Sequence, residues 1–312
     1  MKYSIQSDVV IAEVPTKDFR ILLYDRPKQS MGKNRCNAGY FGSFTEQGEK
    51  FTLPSSHLVC DYSATSKWTK KYCEERGKFS GSRFTFDASK WKYANEFYGK
   101  AISTLLIKNS KASIEDISSL PICQYAISGV PVLMGGNYYG TTKAYAQGWN
   151  ASNLRATWHI FVGLKTANAD TVYVMAAKTT VSNLLSTAAV ANKFKSMGFR
   201  DVIKLDGGGS FYFNAAGTTV STSENRRVCT IIDLGETEGN PYPTPTMTLY
   251  KGIKNTAAVS WLQYELNSHG YSCTVDGSFG PTTLSKLKAY QKANGLVVDG
   301  YCGPATKASL MR

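Results

Sequence analysis

Residues 205–210 read Leu205-Asp206-Gly207-Gly208-Gly209-Ser210 and follow directly on the apolar run Val202-Ile203-Lys204-Leu205. A strand therefore ends on a carboxylate and three glycines. Consecutive glycines lose backbone entropy and give a core nothing, so they belong where the chain turns through positive φ or approaches another group closely. Their N–H groups can converge into a concave anion site, with the Asp206 carboxylate aimed into the same space. The chemistry on offer is an acid or base beside a ring of amide donors. An ordinary Asp-Gly turn is the structural alternative, and a hard divalent cation beside Asp206 is compatible with the same residues.

Composition narrows the class. The chain has 312 residues with 42% hydrophobic content, enough for one large domain and a small one. No apolar run is long enough to span a membrane, and the N-terminus Met1-Lys2-Tyr3-Ser4 opens no apolar signal-peptide core. A chain of this kind is expected to be cytoplasmic until released, or phage-encoded and freed by membrane lesions. Seven cysteines form no C-x-x-C pair and the three histidines are far apart, so there is no zinc signature. Scattered thiols fit small buried hydrophobes better than a disulfide framework, with a Cys273–Cys302 bridge left open. The net charge of +13 is spread: 29 basic and 20 acidic residues precede position 250, and 7 and 3 follow. Such a field attracts polyanions in general, and without a nucleic-acid module it does not argue for nucleic acid.

The elements that must position the glycine loop are mostly strands. Residues 9–11, 21–24, 35–42, 104–108 and 122–128 have strand character, and 157–164 with 171–176 read as a pair joined by a polar turn. Ser182 is a plausible N-cap for a helix running to Met197, stopped by Gly198. Residues 61–100 carry nine Lys/Arg against five Asp/Glu and read as surface with short elements. Residues 211–213 and 228–234 close the domain as strands. The expected class is α+β, strand-rich, with one clear long helix.

Prolines at 241, 243 and 245 alternate within residues 235–248, which makes an extended, semi-stiff linker. The expected division is residues 1–236 for a catalytic domain, 237–250 for the linker and 251–312 for a small domain. In the small domain, Val275-Asp276-Gly277-Ser278-Phe279-Gly280-Pro281-Thr282-Thr283 returns twenty-three positions later as Val298-Asp299-Gly300-Tyr301-Cys302-Gly303-Pro304-Ala305-Thr306. Each copy is a tight Asp-Gly turn feeding a helix that opens on proline. Val259, Leu262 and Leu266, then Leu284, Leu287 and Gln291, recur at helical spacing, so three short helices are expected. With Val259-Ser260-Trp261-Leu262-Gln263-Tyr264-Glu265-Leu266, both loops closely resemble the type 1 peptidoglycan-binding domain family. The resemblance implies a three-helix bundle that docks on bacterial cell wall.

Four segments of the large domain carry a second resemblance. Asn37-Ala38-Gly39-Tyr40-Phe41, Ser128-Gly129-Val130-Pro131-Val132-Leu133, the Asp206 loop and Glu224-Asn225-Arg226-Arg227-Val228 are similar, in order and spacing, to motifs of the phosphodiester glycosidases of the uncovering-enzyme type. That family breaks the bond between a sugar C1 and a phosphodiester oxygen. Its R-T-A-I-G strand has two counterparts here, Arg155-Ala156-Thr157 or His159-Ile160-Phe161-Val162-Gly163.

An ordinary glycosidase needs two carboxyl groups because its alcohol leaving group must be protonated. A phosphate leaves as an anion and needs charge stabilisation more than a proton. The resemblance then assigns Asp206 as nucleophile, base or oxocarbenium stabiliser. Gly207, Gly208 and Gly209, with Ser210 beside them and Arg155 or His159, become phosphate donors, Asn37 a sugar or phosphate partner, and Arg226 a second cation. The alternatives are structural: Asn37 capping a turn, Arg226 pairing with Glu224, and His159 as a satisfied core histidine. The implied partner is peptidoglycan or a phosphate-containing wall polymer, with no cofactor required. The expected function is a wall-targeted, endolysin-like glycosidase. A peptidoglycan hydrolase of another specificity is disfavoured because no paired carboxylates stand out; an inactive wall-binding protein is the third reading.

Overall fold

In the computed structural model the described residues are all except 7–8, 63–65, 93–95, 155–156, 179–187, 216–217, 236–239, 241 and 312. Alternation along strand Trp158–Leu164 sends Ile160, Val162 and Leu164 into one buried cluster and Phe161 into another. The same split occurs on the neighbouring strand Asp201–Gly207, where Ile203 and Leu205 join the first cluster and Val202 the second. A sheet so patterned is buried on both faces, and these strands accordingly read as near-continuous apolar runs.

That sheet has seven strands, in the order Lys2–Gln6, Val9–Pro15, Thr171–Lys178, Trp158–Leu164, Asp201–Gly207, Val130–Met134 and Asn137–Tyr138. All its pairings are antiparallel. One face shares the larger cluster with an eleven-stranded sheet, to which Ile21, Leu23, Leu105, Ile107, Ile127, Phe213 and Ile232 contribute. The other face is covered by helix Ala188–Ser196 through Ala191 and Phe194. The N-cap expected at Ser182 lies outside the described residues.

The basic stretch at 61–100 is not merely surface. It folds into helix Lys67–Arg76 and strands Lys78–Ser80 and Arg83–Phe86, and it buries Trp68, Cys73, Phe84, Phe86 and Phe97. Helix Lys67–Arg76 keeps Trp68, Thr69 and Cys73 on one face and its lysines outside, so its charge hid its amphipathicity. Ser66 caps it by accepting from the Trp68 N–H at 3.2 Å.

The small domain is three helices, Thr256–Ser268, Pro281–Ala293 and Pro304–Leu310, around Val259, Trp261, Leu262, Leu266, Leu287, Tyr290 and Leu310. The repeat has a physical cause. Gln263 Nε2 donates to Asp276 Oδ1 at 2.8 Å, Ser278 O and Thr283 Oγ1, and its oxygen accepts from Gly277 N–H. Gln291 repeats this with Asp299 Oδ1 at 2.9 Å, Tyr301 O, Thr306 Oγ1 and the Gly300 N–H. One buried amide thus ties each Asp-Gly turn to the helix before it. Cys273 and Cys302 are both free thiols, so no disulfide staples the bundle.

The described part of the proline-rich segment lies against this bundle. Lys307 Nζ donates to the carbonyls of Pro245, Thr246 and Met247 at 2.8, 3.2 and 3.2 Å, and Asn240 Nδ2 donates to Trp261 O. Replacing Gln291 by Leu strands the buried Gly300 N–H and should destabilise the bundle by about 1–3 kcal/mol. Hydrogen exchange of the Pro281–Ala293 amides in the full chain reads this, and unchanged exchange contradicts it.

Candidate functional site

Strand Asp201–Gly207 pairs with Trp158–Leu164 through an irregular register: His159 faces Gly207, while Phe161 faces Lys204. Two steps on one strand match three on the other, so the Asp206 strand bulges just before its carboxylate. Bulges of this kind re-aim a side chain. After Gly207 the chain makes a short turn over Gly208–Ser210, closed by Phe211 N–H donating to Gly208 O at 3.0 Å, with Gly208 at φ +60°.

Each sequence motif has a place around this turn. The Asp206 N–H donates to Ala38 O at 2.9 Å, and Asn37 Nδ2 donates to Asp206 O at 3.0 Å, so both backbone groups of Asp206 are held by one neighbouring segment. Asn37 also accepts from the Tyr212 N–H at 2.8 Å. With 1% of its surface exposed, Asn37 is not part of the cleft wall; it bridges two backbones. Gly129 lies against the same strand from below, where a Cβ would stand 2.6 Å from Lys204 O. Arg227 reaches the buried Asp25, whose carboxylate also accepts from Thr52 N–H and Oγ1 and from Thr69 Oγ1.

A cleft of about 710 Å³ opens over the turn. Asp206, Gly207, Gly208, Gly209, Ser210, His159 and Arg226 all line it. Arg155 lies outside the described residues. The opposing wall is aromatic, with Tyr40, Phe41, Phe44, Trp91 and Trp149, and it includes Arg76, whose guanidinium sits over the Phe44 and Trp91 rings at 5.5 and 5.7 Å. Phe44 and Arg76 come from hairpin Phe41–Glu46/Glu49–Pro54 and from the end of helix Lys67–Arg76. An aromatic wall facing a polar floor suits a sugar ring carrying an anionic group.

Two further carboxylates, which the order of the sequence does not place beside Asp206, line this cleft with it. Glu224 is ion-paired with Arg226 at 3.1 Å, with both side chains more than half exposed, and Glu96 joins from the far wall. Sequence order concealed them because they stand 18 and 110 positions from Asp206. Among the described residues, no three His, Cys, Asp or Glu side chains gather closely enough to hold a metal ion.

Burial pushes the Asp206 carboxyl up to about 6, against the opposing pull of the Gly207 N–H, the Ser210 hydroxyl, Lys204 and Arg226. Burial likewise brings Lys204 down to about 7, with Asp206 working against it. Sequence reasoning passed over two lysines here. Lys204 interrupts an apolar run, which is a readable signal. Lys28 is wholly buried and donates from Nζ to Gly209 O, Phe211 O and Thr222 O at 2.9, 3.1 and 3.0 Å, gathering the carbonyls that flank the turn. Nothing local in its sequence marks it.

The class of the C-terminal unit follows from comparison with known proteins. Residues 255–310 match the family described as "Putative peptidoglycan binding domain", so the chain carries a peptidoglycan-binding-type domain. Within that region it is 47% identical over 53 residues to the N-acetylmuramoyl-L-alanine amidase CwlM of Mycobacterium tuberculosis, a match spanning 17% of this chain and 13% of that protein. Among solved structures, a Synechocystis protein is similar at 10% identity and a TM-score of 0.39, covering 74% of this chain and 60% of the other. The catalytic domain of zebrafish N-acetylglucosamine-1-phosphodiester α-N-acetylglucosaminidase is similar at 15% identity and a TM-score of 0.37, covering 70% and 88%. At these scores the likeness does not define a shared fold.

Two outcomes test the site's construction. A Cβ on Gly207 would stand 2.1 Å from Trp158 O and 2.3 Å from His159 Nδ1, so Gly207→Ala should cost about 1–3 kcal/mol in denaturant unfolding. A neutral result refutes the close packing. Because the folded pKa of Asp206 is raised, its protonated form favours folding, and that stability is lost as pH rises through about 6. Asp206→Asn should therefore melt higher than the wild type at pH 8 and equal to it near pH 4. A lower melting point at pH 8 contradicts the burial argument.

Proposed function

We propose that the large domain hydrolyses a sugar-1-phosphodiester bond in a bacterial wall glycan or phosphate-bearing wall polymer, and that the C-terminal domain holds it on the wall. The observation that carries this reading is Asp206 itself. Its backbone is clamped at both ends, and its carboxylate faces a cleft that also contains Arg226 and an aromatic wall. Ionised Asp206 stabilises or attacks the oxocarbenium-like centre at C1 as the C1–O bond to the phosphate breaks, and water supplies the new C1–OH, directly or by hydrolysing the glycosyl ester on Asp206, releasing its proton to solvent. Arg226, the turn amides and the Arg155 or His159 side chain receive the departing phosphate, which leaves as an anion and needs no protonating acid. The division at residues 1–236, 237–250 and 251–312 follows the same logic: a reaction unit, a spacer and an anchor. An endolysin-like role, with action at the wall after release from the cell that makes it, fits this arrangement, and no cofactor enters the reaction.

Glu224 and Glu96 support a second reading, a two-carboxylate glycosidase of muramidase type, in which one of them protonates an alcohol leaving group. Glu224 is the weaker acid candidate because its carboxylate is already engaged by Arg226 at 3.1 Å and would have to leave that pair to reach a leaving group.

Purified wall sacculi with and without their phosphate-linked polymers separate the readings. Free sugar should appear only from polymer-bearing walls, should rise as pH increases through about 6, and should fall at least about 100-fold in Asp206→Asn. Glu224→Gln should retain most of the activity. Muropeptide products lost in Glu224→Gln would establish the two-carboxylate reading, and sedimentation with walls without any release would leave only a binding protein.

A further inference from the structure

Lys204 lies beneath the cleft floor with none of its surface exposed. Three groups surround its Nζ. It donates to the Asn153 carbonyl, sits 5.8 Å above the Tyr40 ring, and lies 3.4 Å from His159 Nε2. A carbonyl oxygen and the face of an aromatic ring can only receive from an ammonium, and an ammonium has three donors and no lone pair. The histidine nitrogen turned toward it must then present a lone pair. The imidazole proton is left on Nδ1, the nitrogen against Gly207, where a Cβ would stand only 2.3 Å away. His159 is itself in the cleft wall.

We infer that Lys204 is a positioning residue that holds His159 as the neutral, Nδ1-protonated tautomer, so that beside the Asp206 turn His159 is an uncharged ring with its Nδ1 buried and not a cation. Imidazolium and ammonium at 3.4 Å repel, so a charged Lys204 also opposes a second proton on His159. The inference goes deeper into the site proposed above. If it holds, the cations lining the described cleft that can meet a leaving phosphate are Arg226 and Arg76, and His159 adds no charge.

The groups facing this pair are Asp206 on the same strand, His159 on strand Trp158–Leu164, Tyr40 after strand Arg35–Asn37, and Arg226 beyond Asp206. Burial draws Lys204 down to about 7 while Asp206 opposes the shift, so the amine is charged below that pH and can accept a hydrogen bond above it. The tautomer is fixed most firmly on the acid side and loosens as Lys204 loses its proton.

Long-range proton–nitrogen NMR of the full chain with labelled histidine tests this without any substrate, so an absence of turnover touches only the functional proposal. His159 is identified by the signal lost in His159→Gln. At pH 6.5 the wild type should show pyrrole-type nitrogen at Nδ1 and pyridine-type nitrogen at Nε2, and Lys204→Met should shift the population toward the Nε2-protonated tautomer or toward imidazolium. Imidazolium or an Nε2-protonated ring in the wild type overturns the inference, as does an unchanged His159 in a folded Lys204→Met. Buried His57, whose Nδ1 accepts from the Ala88 N–H at 3.1 Å, reports whether the variant is folded. Should it not fold, the wild-type titration decides: loss of the single tautomer as pH rises through about 7 upholds the inference, and a tautomer constant across that range rejects it.

Discussion

The site rests on a pair of backbone hydrogen bonds at one residue. Asp206 gives its N–H to Ala38 O and takes the Asn37 amide on its own carbonyl, so a segment 168 and 169 positions earlier fixes the peptide from which the carboxylate projects. Around that clamp the other parts are accommodations. Gly207 has no side chain because strand Trp158–Leu164 passes too close, Gly208 turns the chain at positive φ, and Lys28 collects the carbonyls that the turn leaves facing inward. A carboxylate in this position resists ionisation, and folding alone gives no reason to keep it there.

What could be read from the chain was whatever is encoded locally. The Asp206 loop, the paired strands at 157–164 and 171–176, and the twinned Asp-Gly turns each carry their own turn chemistry or periodicity, and each is found in its expected form. What could not be read depends on register and on long-range meetings. Glu96, in a turn, and Glu224, in the loop between strands Thr218–Ser221 and Arg227–Asp233, enter one cleft with Asp206 only through long-range folding. Helix Lys67–Arg76 was obscured because its lysines dominate the composition while Trp68, Thr69 and Cys73 do the packing. Asn37 sits beside the Asp206 turn, and its side chain is consumed in holding backbone.

Lysines are used here in ways that net charge conceals. Lys28 and Lys307 each gather three carbonyls in the interior, one under the Asp206 turn and one under the proline-rich segment. Lys204 faces a carbonyl, a ring and an imidazole. An ammonium suits such places because it offers three donors on a compact centre, where a neutral side chain would leave carbonyls bare. Among the described residues, Lys28, Lys204 and Lys307 are the buried basic side chains, so the outward positive field comes from the other basic groups.

The central claim is that the fold holds one carboxylate at the floor of the cleft in an environment that delays its ionisation. Titration of the Asp206 carboxyl carbon by NMR, identified through Asp206→Asn, measures this directly. The expected midpoint is about 6. A midpoint at the ordinary aspartate value of about 3.9 would contradict it and would return the glycine loop to a plain turn.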